Sequence, residues 1–197
     1  MINRACEAPT RIDLMPTDVP ARARRIAKVS ATMAVLTLVV AVLQVVAYGA
    51  IFLDPDGLAE LASRQVLPPG ATFTLTPASI AAGFVTGAIP VALSLYGLWH
   101  AHALFRGWRD GPIFTQVAGR RLVRMGAALA LMPIAAMLSS GLTSLVLTLG
   151  NPPGQRTVQI AVSDDPIVMA VAGGLLIVVG WVMAEAARLA EENEAFV

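Results

Sequence analysis

Four stretches of the chain carry apolar side chains without a formal charge, and the charged residues are confined to the segments around them. Val29 to Leu53 is 25 residues long, Ile80 to Phe105 and Met125 to Gly150 are 26 each, and Ile167 to Ala184 is 18. Crossing a bilayer core takes about 20 helical residues, so each run can make or nearly make a span. Lipid offers the backbone no hydrogen-bond partners, which makes helices of these runs. A transmembrane barrel would instead show alternating segments of about ten residues. The pattern predicts an all-α, four-helix transmembrane bundle with spans at about 29–53, 80–105, 122–149 and 167–187. Residues 1–28 form a basic tail before it and 188–197 an acidic tail after it. The first run is longer than the roughly 7–15 residues of a signal-peptide core and begins late, so it reads as an uncleaved anchor.

Two connections carry patterns of their own. Leu58, Leu61, Ala62 and Val66 recur at helical spacing within Gly57–Leu67, which ends at Pro68-Pro69-Gly70. This predicts a short helix lying on the membrane interface. Thr72–Thr76 and Thr157–Val162 alternate with period two, the spacing of a strand. Paired across the two loops they would form a small β cap outside the membrane, although two strands alone are marginal.

Composition removes the water-soluble alternative. Hydrophobic residues make up 56% of the chain and charged residues 14%, against about a quarter charged in ordinary globular proteins. The net charge of +1 says little, but its placement says more. Six cations precede the first span (Arg4, Arg11, Arg22, Arg24, Arg25, Lys28), and five lie between spans two and three (Arg106, Arg109, Arg120, Arg121, Arg124). Arg188 follows the last span, while Arg64 and Arg156 stand alone in the other two connections. The positive side stays in the cytoplasm, so both termini are expected inside, in a bacterial cytoplasmic (inner) membrane. The placement of Tyr48, Phe52, Tyr96, Trp99 and Trp181 near span ends agrees with the preference of amphipathic rings for the interface. Cys6 is the only cysteine and can form no internal disulfide.

Candidate chemistry within the spans is sparse. His100 and His102 are two apart on one helix and point about 200° away from each other, which disfavours a shared haem or metal. No cofactor, metal or catalytic residue is expected. Transporters place ionisable groups at mid-membrane depth, and this chain has only Gln44 as a strongly polar mid-span residue. Ser139, Ser140, Thr143, Ser144 and Thr148 read as packing and back-bonding hydroxyls. Gly83-Phe-Val-Thr-Gly87, Gly173-Gly174 and Gly180 read as sites of close helix approach, with a homodimer through these faces as the other use. Pro90 and Pro133 should each kink a helix.

Two segments at the predicted cytoplasmic end are more distinctive. In Gly111-Pro-Ile-Phe114-Thr115, Thr115 is placed as an N-cap for a helix that carries Arg120, Arg121 and Arg124 on its first turns. The last span continues as a polar helix with Glu185, Arg188, Glu191, Glu192, Asn193 and Glu194. Glutamates at a helix C-terminus oppose the macrodipole, so the three arginines are expected to come to meet them. Phe114, Thr115, Arg120, Arg121, Arg124, Glu185, Arg188, Glu191, Glu192 and Asn193 form the candidate interaction surface.

Together these two segments resemble the bacterial membrane-protein family known as domain of unknown function 2975, the YoaS-like proteins. The resemblance rests on Gly111, Ile113, Phe114, Thr115, Arg121, Leu122, Arg124 and Gly126, then on Leu189, Glu191, Glu192, Asn193 and Val197. Gln116-Val117 and Ala195-Phe196 depart from its usual pattern. The resemblance implies four spans and no assigned activity. It also implies a partner, because similar genes often neighbour one for a small helix-turn-helix regulator. The expected function is non-catalytic tethering of such a regulator at the membrane, without direct contact to nucleic acid. A small transporter or permease subunit, and a quinone-linked oxidoreductase, are the alternatives.

Overall fold

Each long apolar run forms a helix that extends beyond its charge-free stretch at one end or both, although the first stops at Ile51 and the third at Thr148, each two residues short at its other end. The computed structural model describes residues 19–66, 76–152, 156, 158–160 and 165–194. Helix α1 spans Val19–Ile51, α3 Pro77–Asp110, α4 Gln116–Thr148 and α5 Pro166–Glu194. All four are long and apolar enough to cross a membrane. At 1.5 Å per residue the 34 residues of α3 reach about 50 Å, so its polar ends project well beyond a 30 Å hydrocarbon core.

Local chemistry sets the helix starts. Thr76 caps α3 in a reciprocal box with Ser79: the Ser79 amide donates to the Thr76 hydroxyl and the Thr76 amide to Ser79 Oγ. Pro77 follows at the first helical position, where its missing N–H costs nothing. Thr115 caps α4 as its position predicts, accepting from the Ala118 amide at 3.1 Å. The predicted interfacial helix begins two residues early, as α2 at Pro55–Leu61 after the cap Asp54, and continues as a π-helical turn over Ala62–Val66. Gly57 leaves room for that cap, since a Cβ there would lie 2.7 Å from Asp54 Oδ2.

The helices pack in the order α1, α3, α4, α5, so the bundle is open between its two edge helices. Helix α1 touches α3 through a stripe of small and polar residues, Ser30, Ala34, Thr37, Ala41, Gln44 and Tyr48, spaced alternately by four and three. Between them lie Val35, Leu38, Val42, Leu43 and Val46, all exposed. Helix α5 likewise buries one stripe, Gly173, Gly180 and Ala187, and exposes Val171, Leu175, Val178 and Val182. Surfaces of this kind fit lipid and not water.

The closest packing joins α4 to α5. Gly119 and Gly126 stand seven apart on one helix, and Gly173 and Gly180 seven apart on the other. Antiparallel pairing sets Gly119 against Gly180 and Gly126 against Gly173. A Cβ on Gly119 would lie 2.6 Å from the Gly180 carbonyl oxygen, and one on Gly126 would lie 2.6 Å from that of Gly173. Lipid tails are as apolar as leucine, so helix association in a bilayer relies on such close backbone approach. The close approach expected of these glycines is found at three of them: Gly173 and Gly180 meet α4, and Gly87 meets the Tyr48 hydroxyl of α1.

The β cap falls largely outside the described residues, which exclude 72–75, 157 and 161–162. No strand occurs among the described ones. Gln159, inside the second alternating run, ties instead to α4: its amide donates to Ser144 Oγ at 2.9 Å.

Candidate functional site

The connection from α3 to α4 is closed by a side chain of α3. Trp108 Nε1 donates to the Ile113 carbonyl at 3.0 Å, pinning the five-residue turn that presents Phe114 and Thr115. Trp108 also packs on Leu104, Ala118 and Leu122, beside Met183 of α5. The turn is therefore built on the core of this end of the bundle, and Phe114 emerges from it with 68% of its surface exposed.

The predicted residues divide into three groups. Arg121 turns inward, and its Nη1 donates to the Ala103 carbonyl of α3. Arg120 and Arg124 lie exposed on α4, with Arg120 Nη1 3.5 Å from Gln116 Oε1, at the limit of a hydrogen bond. On α5, Arg188 fans between two glutamates, reaching Glu185 at 2.5 Å and Glu192 at 2.9 Å. Asn193 is exposed on the last turn of the same helix.

The expected contact between the two segments forms, but through a residue that charge counting passed over. Gln116 Nε2 donates to Glu191 Oε2 at 2.8 Å. Among the described residues no ion pair joins an arginine of α4 to a glutamate of α5, which corrects the expected arginine pairing. Arg188 meets its glutamates at intervals of three and four on its own helix, where little side-chain freedom is lost in bringing them together. Gln116 and Glu191 reach each other because side chains tilt toward their own helix N-terminus, and the two helices are antiparallel. Gln116 had stood out only as a departure from the family pattern.

Polar groups inside the helices link neighbours. The two histidines part as their spacing predicts: His102 Nδ1 lies 2.9 Å from the Ala34 carbonyl of α1, while His100 is buried against the Tyr96 ring. Gln44 accepts from Ser94 of α3 at 3.0 Å. Pro90 has no N–H for the carbonyl of Thr86, four residues earlier, and Ser139 of α4 supplies the missing donor at 2.9 Å. Thr86 and Thr143 hydroxyls pair at 2.7 Å beside it.

At the opposite end, near α2, a cavity of about 330 Å³ lies among α1, α2, α3 and α4. Sequence patterning held no signal for it, because the helices that wall it are not all neighbours in the packing order.

Four long apolar helices with lipid-compatible surfaces and polar ends are consistent with a multi-pass membrane protein. The family model described as protein of unknown function DUF2975 matches residues 52–197, and the chain belongs to that family. No curated protein and no solved structure matches it.

Proposed function

We propose that this is a non-catalytic regulatory protein of the bacterial inner membrane, with both termini cytoplasmic, that tethers a small helix-turn-helix regulator. The observation that carries this reading is Phe114. It is a large apolar side chain held exposed on a turn that Trp108 fixes, one residue before the cap of the helix bearing Arg120 and Arg124. Across the Gln116–Glu191 bond lies the Glu185–Arg188–Glu192 fan. A fixed aromatic anchor beside charges of both signs has the make-up of a binding hot spot. The charges supply orientation and encounter rate more than affinity.

A regulator held here is withheld from DNA by mass action. Moving a site from 99% to 1% occupied takes a change in affinity of about 10⁴-fold, or about 5.5 kcal/mol. The test is to extract the protein from its own membrane in mild detergent and identify what comes with it. A DNA-binding protein recovered with the wild type and lost with Phe114→Ala plus Arg124→Glu supports the proposal. Recovery of none, with unchanged transcription on deleting the gene, refutes it and leaves the transporter alternative ahead.

A further inference from the structure

The cavity near α2 has walls from two helices that do not pack on each other. Tyr48 and Ile51 of α1, with Phe52 just after it, form one wall and Ala136, Ser139, Ser140, Thr143 and Leu147 of α4 the other. Ser79, Ile80, Gly83, Gly87 and Pro90 of α3 make the floor, and Leu58 and Ala62 of the α2 segment cover the end. Helices α1 and α4 have no backbone approach, and the Pro55–Val66 segment touches both of them but not α3, so it bridges the gap at the Leu58 and Ala62 end and leaves the rest of that gap uncovered among the described residues. Phe52 packs edge to face on Tyr48 and on Phe84, Tyr48 lies tilted on Phe84, and the three rings, with centroids 5.0–5.3 Å apart, brace the α1 wall against α3.

The chemistry of the lining is one-sided. Among the described residues it contains no Asp, Glu, Lys, Arg or His. Four of its hydroxyls donate their single protons to backbone carbonyls. Tyr48 donates to the Phe84 carbonyl, Ser79 to Thr76 at 2.9 Å, Ser139 to Thr86 at 2.9 Å, and Ser140 to Met137 at 3.0 Å. Thr143 shares a 2.7 Å hydrogen bond with Thr86, in which either hydroxyl can donate, and Thr86 also reaches the Ala82 and Gly83 carbonyls at 3.1 and 3.2 Å. What the walls offer inward is apolar surface and hydroxyl lone pairs. A charged solute would lose its hydration there with nothing in return.

Gly83 opens directly onto this space. It is buried, yet a Cβ added to it would meet nothing within 4 Å. Gly119, Gly126, Gly173 and Gly180 are buried because a neighbouring backbone lies against them. Gly83 has no such neighbour and borders the cavity instead.

We infer that this cavity binds a neutral lipophile drawn sideways from the bilayer, an alkyl or ring body carrying at most a hydroxyl that donates to the wall. At about 30 Å³ per water-sized unit, 330 Å³ takes roughly a dozen non-hydrogen atoms, within the range of small-molecule pockets. The site stands independently of the tethering function, since it lies at the far end of α3 and α4 from Phe114.

The occupant has two sources, the chain end of a membrane lipid and a separate small lipophile, and photolabelling distinguishes them. The protein in nanodiscs is irradiated with a diazirine-bearing twelve-carbon alcohol, or in nanodiscs whose phospholipid carries the diazirine at its acyl terminus. Labelled residues are then mapped by mass spectrometry. Saturable alcohol labelling of the lining segments 48–52, 79–90 and 136–147 supports a small lipophile. Labelling of the same segments by the phospholipid alone supports a lipid chain. In either case Gly83→Leu, which fills the space, should reduce labelling there at least tenfold, and Ala136→Phe on the α4 wall should do the same. Gly174→Leu, which has open space and borders no part of the cavity, should leave it unchanged. Thermal unfolding of each variant checks that it is folded. Labelling spread along the exposed faces of α1 and α5, or unchanged in folded Gly83→Leu and Ala136→Phe, overturns the inference.

Discussion

Replacing Gly126 by alanine should separate α4 from α5. The new methyl carbon would lie 2.6 Å from the Gly173 carbonyl oxygen and 2.9 Å from the Ile177 amide nitrogen. Ordinary contact begins near 3.4 Å, so about 0.8 Å must be found. Two of the atoms it meets are backbone atoms of a helix and cannot rotate aside. The helices themselves must move, and a gap of 0.5–1 Å forfeits about a quarter to a half of each dispersion contact it opens. Overpacking of this kind costs about 1–3 kcal/mol. Alanine gains up to about 1 kcal/mol over glycine in a helix interior, leaving a net loss of about 0–2 kcal/mol. Gly174 is the internal control. It neighbours Gly173 on the same helix, but a Cβ there meets nothing within 4 Å, so Gly174→Ala keeps the propensity gain without the clash.

Reversible unfolding in mixed micelles of a mild and a denaturing detergent measures both. Gly126→Ala and Gly173→Ala should each destabilise, and Gly174→Ala should be neutral or stabilising. Because Gly126 and Gly173 face each other, the double variant should cost less than the sum of the two, as a single separation of the helices relieves both clashes. Equal effects of Gly126→Ala and Gly174→Ala would refute the close-approach argument.

Ser139→Ala should destabilise by about 1 kcal/mol, in the range measured for interhelical hydrogen bonds in membranes, and Pro90→Ala should suppress that loss by returning a helical N–H to the Thr86 carbonyl; a double-mutant cycle in the same micelles checks it, and additivity would break the link. With Cys6 changed to serine, cysteines at Gln116 and Glu191 should crosslink through a short bifunctional reagent, whereas cysteines at Arg124 and Glu191 should not; the reverse order would restore the arginine pairing. Alkaline phosphatase fused after Gly70 or Gly154 should be active and after Gly111 or Val197 silent, because twelve cations flank one membrane face and two the other; activity after Gly111 would invert the proposed topology.

The spans were legible in the sequence because lipid leaves the backbone one solution. Charge-free length announced four helices, and Thr115 announced the start of α4 because a hydroxyl before a helical run has an amide waiting for it. The boundaries were less legible. Helix α3 continues five residues past Phe105, through Arg106, Arg109 and Asp110, since charges end a hydrophobic run without ending a helix. The order of packing was not legible at all. A periodic stripe says that a face is covered, and α1 and α5 each have one such stripe. Nothing in its composition says which helix covers it or that the two edges remain apart.

The same distinction governs the polar end. Phe114 and the capped turn follow from local sequence, and the structure places them where that sequence requires. The partners of Glu191 and Arg121 depend on geometry between helices. Opposite charge predicts that arginines on α4 and glutamates on α5 attract, but an exposed ion pair is worth only about 0–1 kcal/mol. An attraction that weak does not choose among partners. The glycine contacts set the spacing and level of α4 against α5, and the tilt of each side chain toward its helix N-terminus then brings Gln116 and Glu191 together. Arg121, on the flank of α4 that faces α3, meets a backbone carbonyl before any carboxylate. Side-chain pairing here is a consequence of where small residues let the backbones touch, and that information sits in Gly119, Gly126, Gly173 and Gly180.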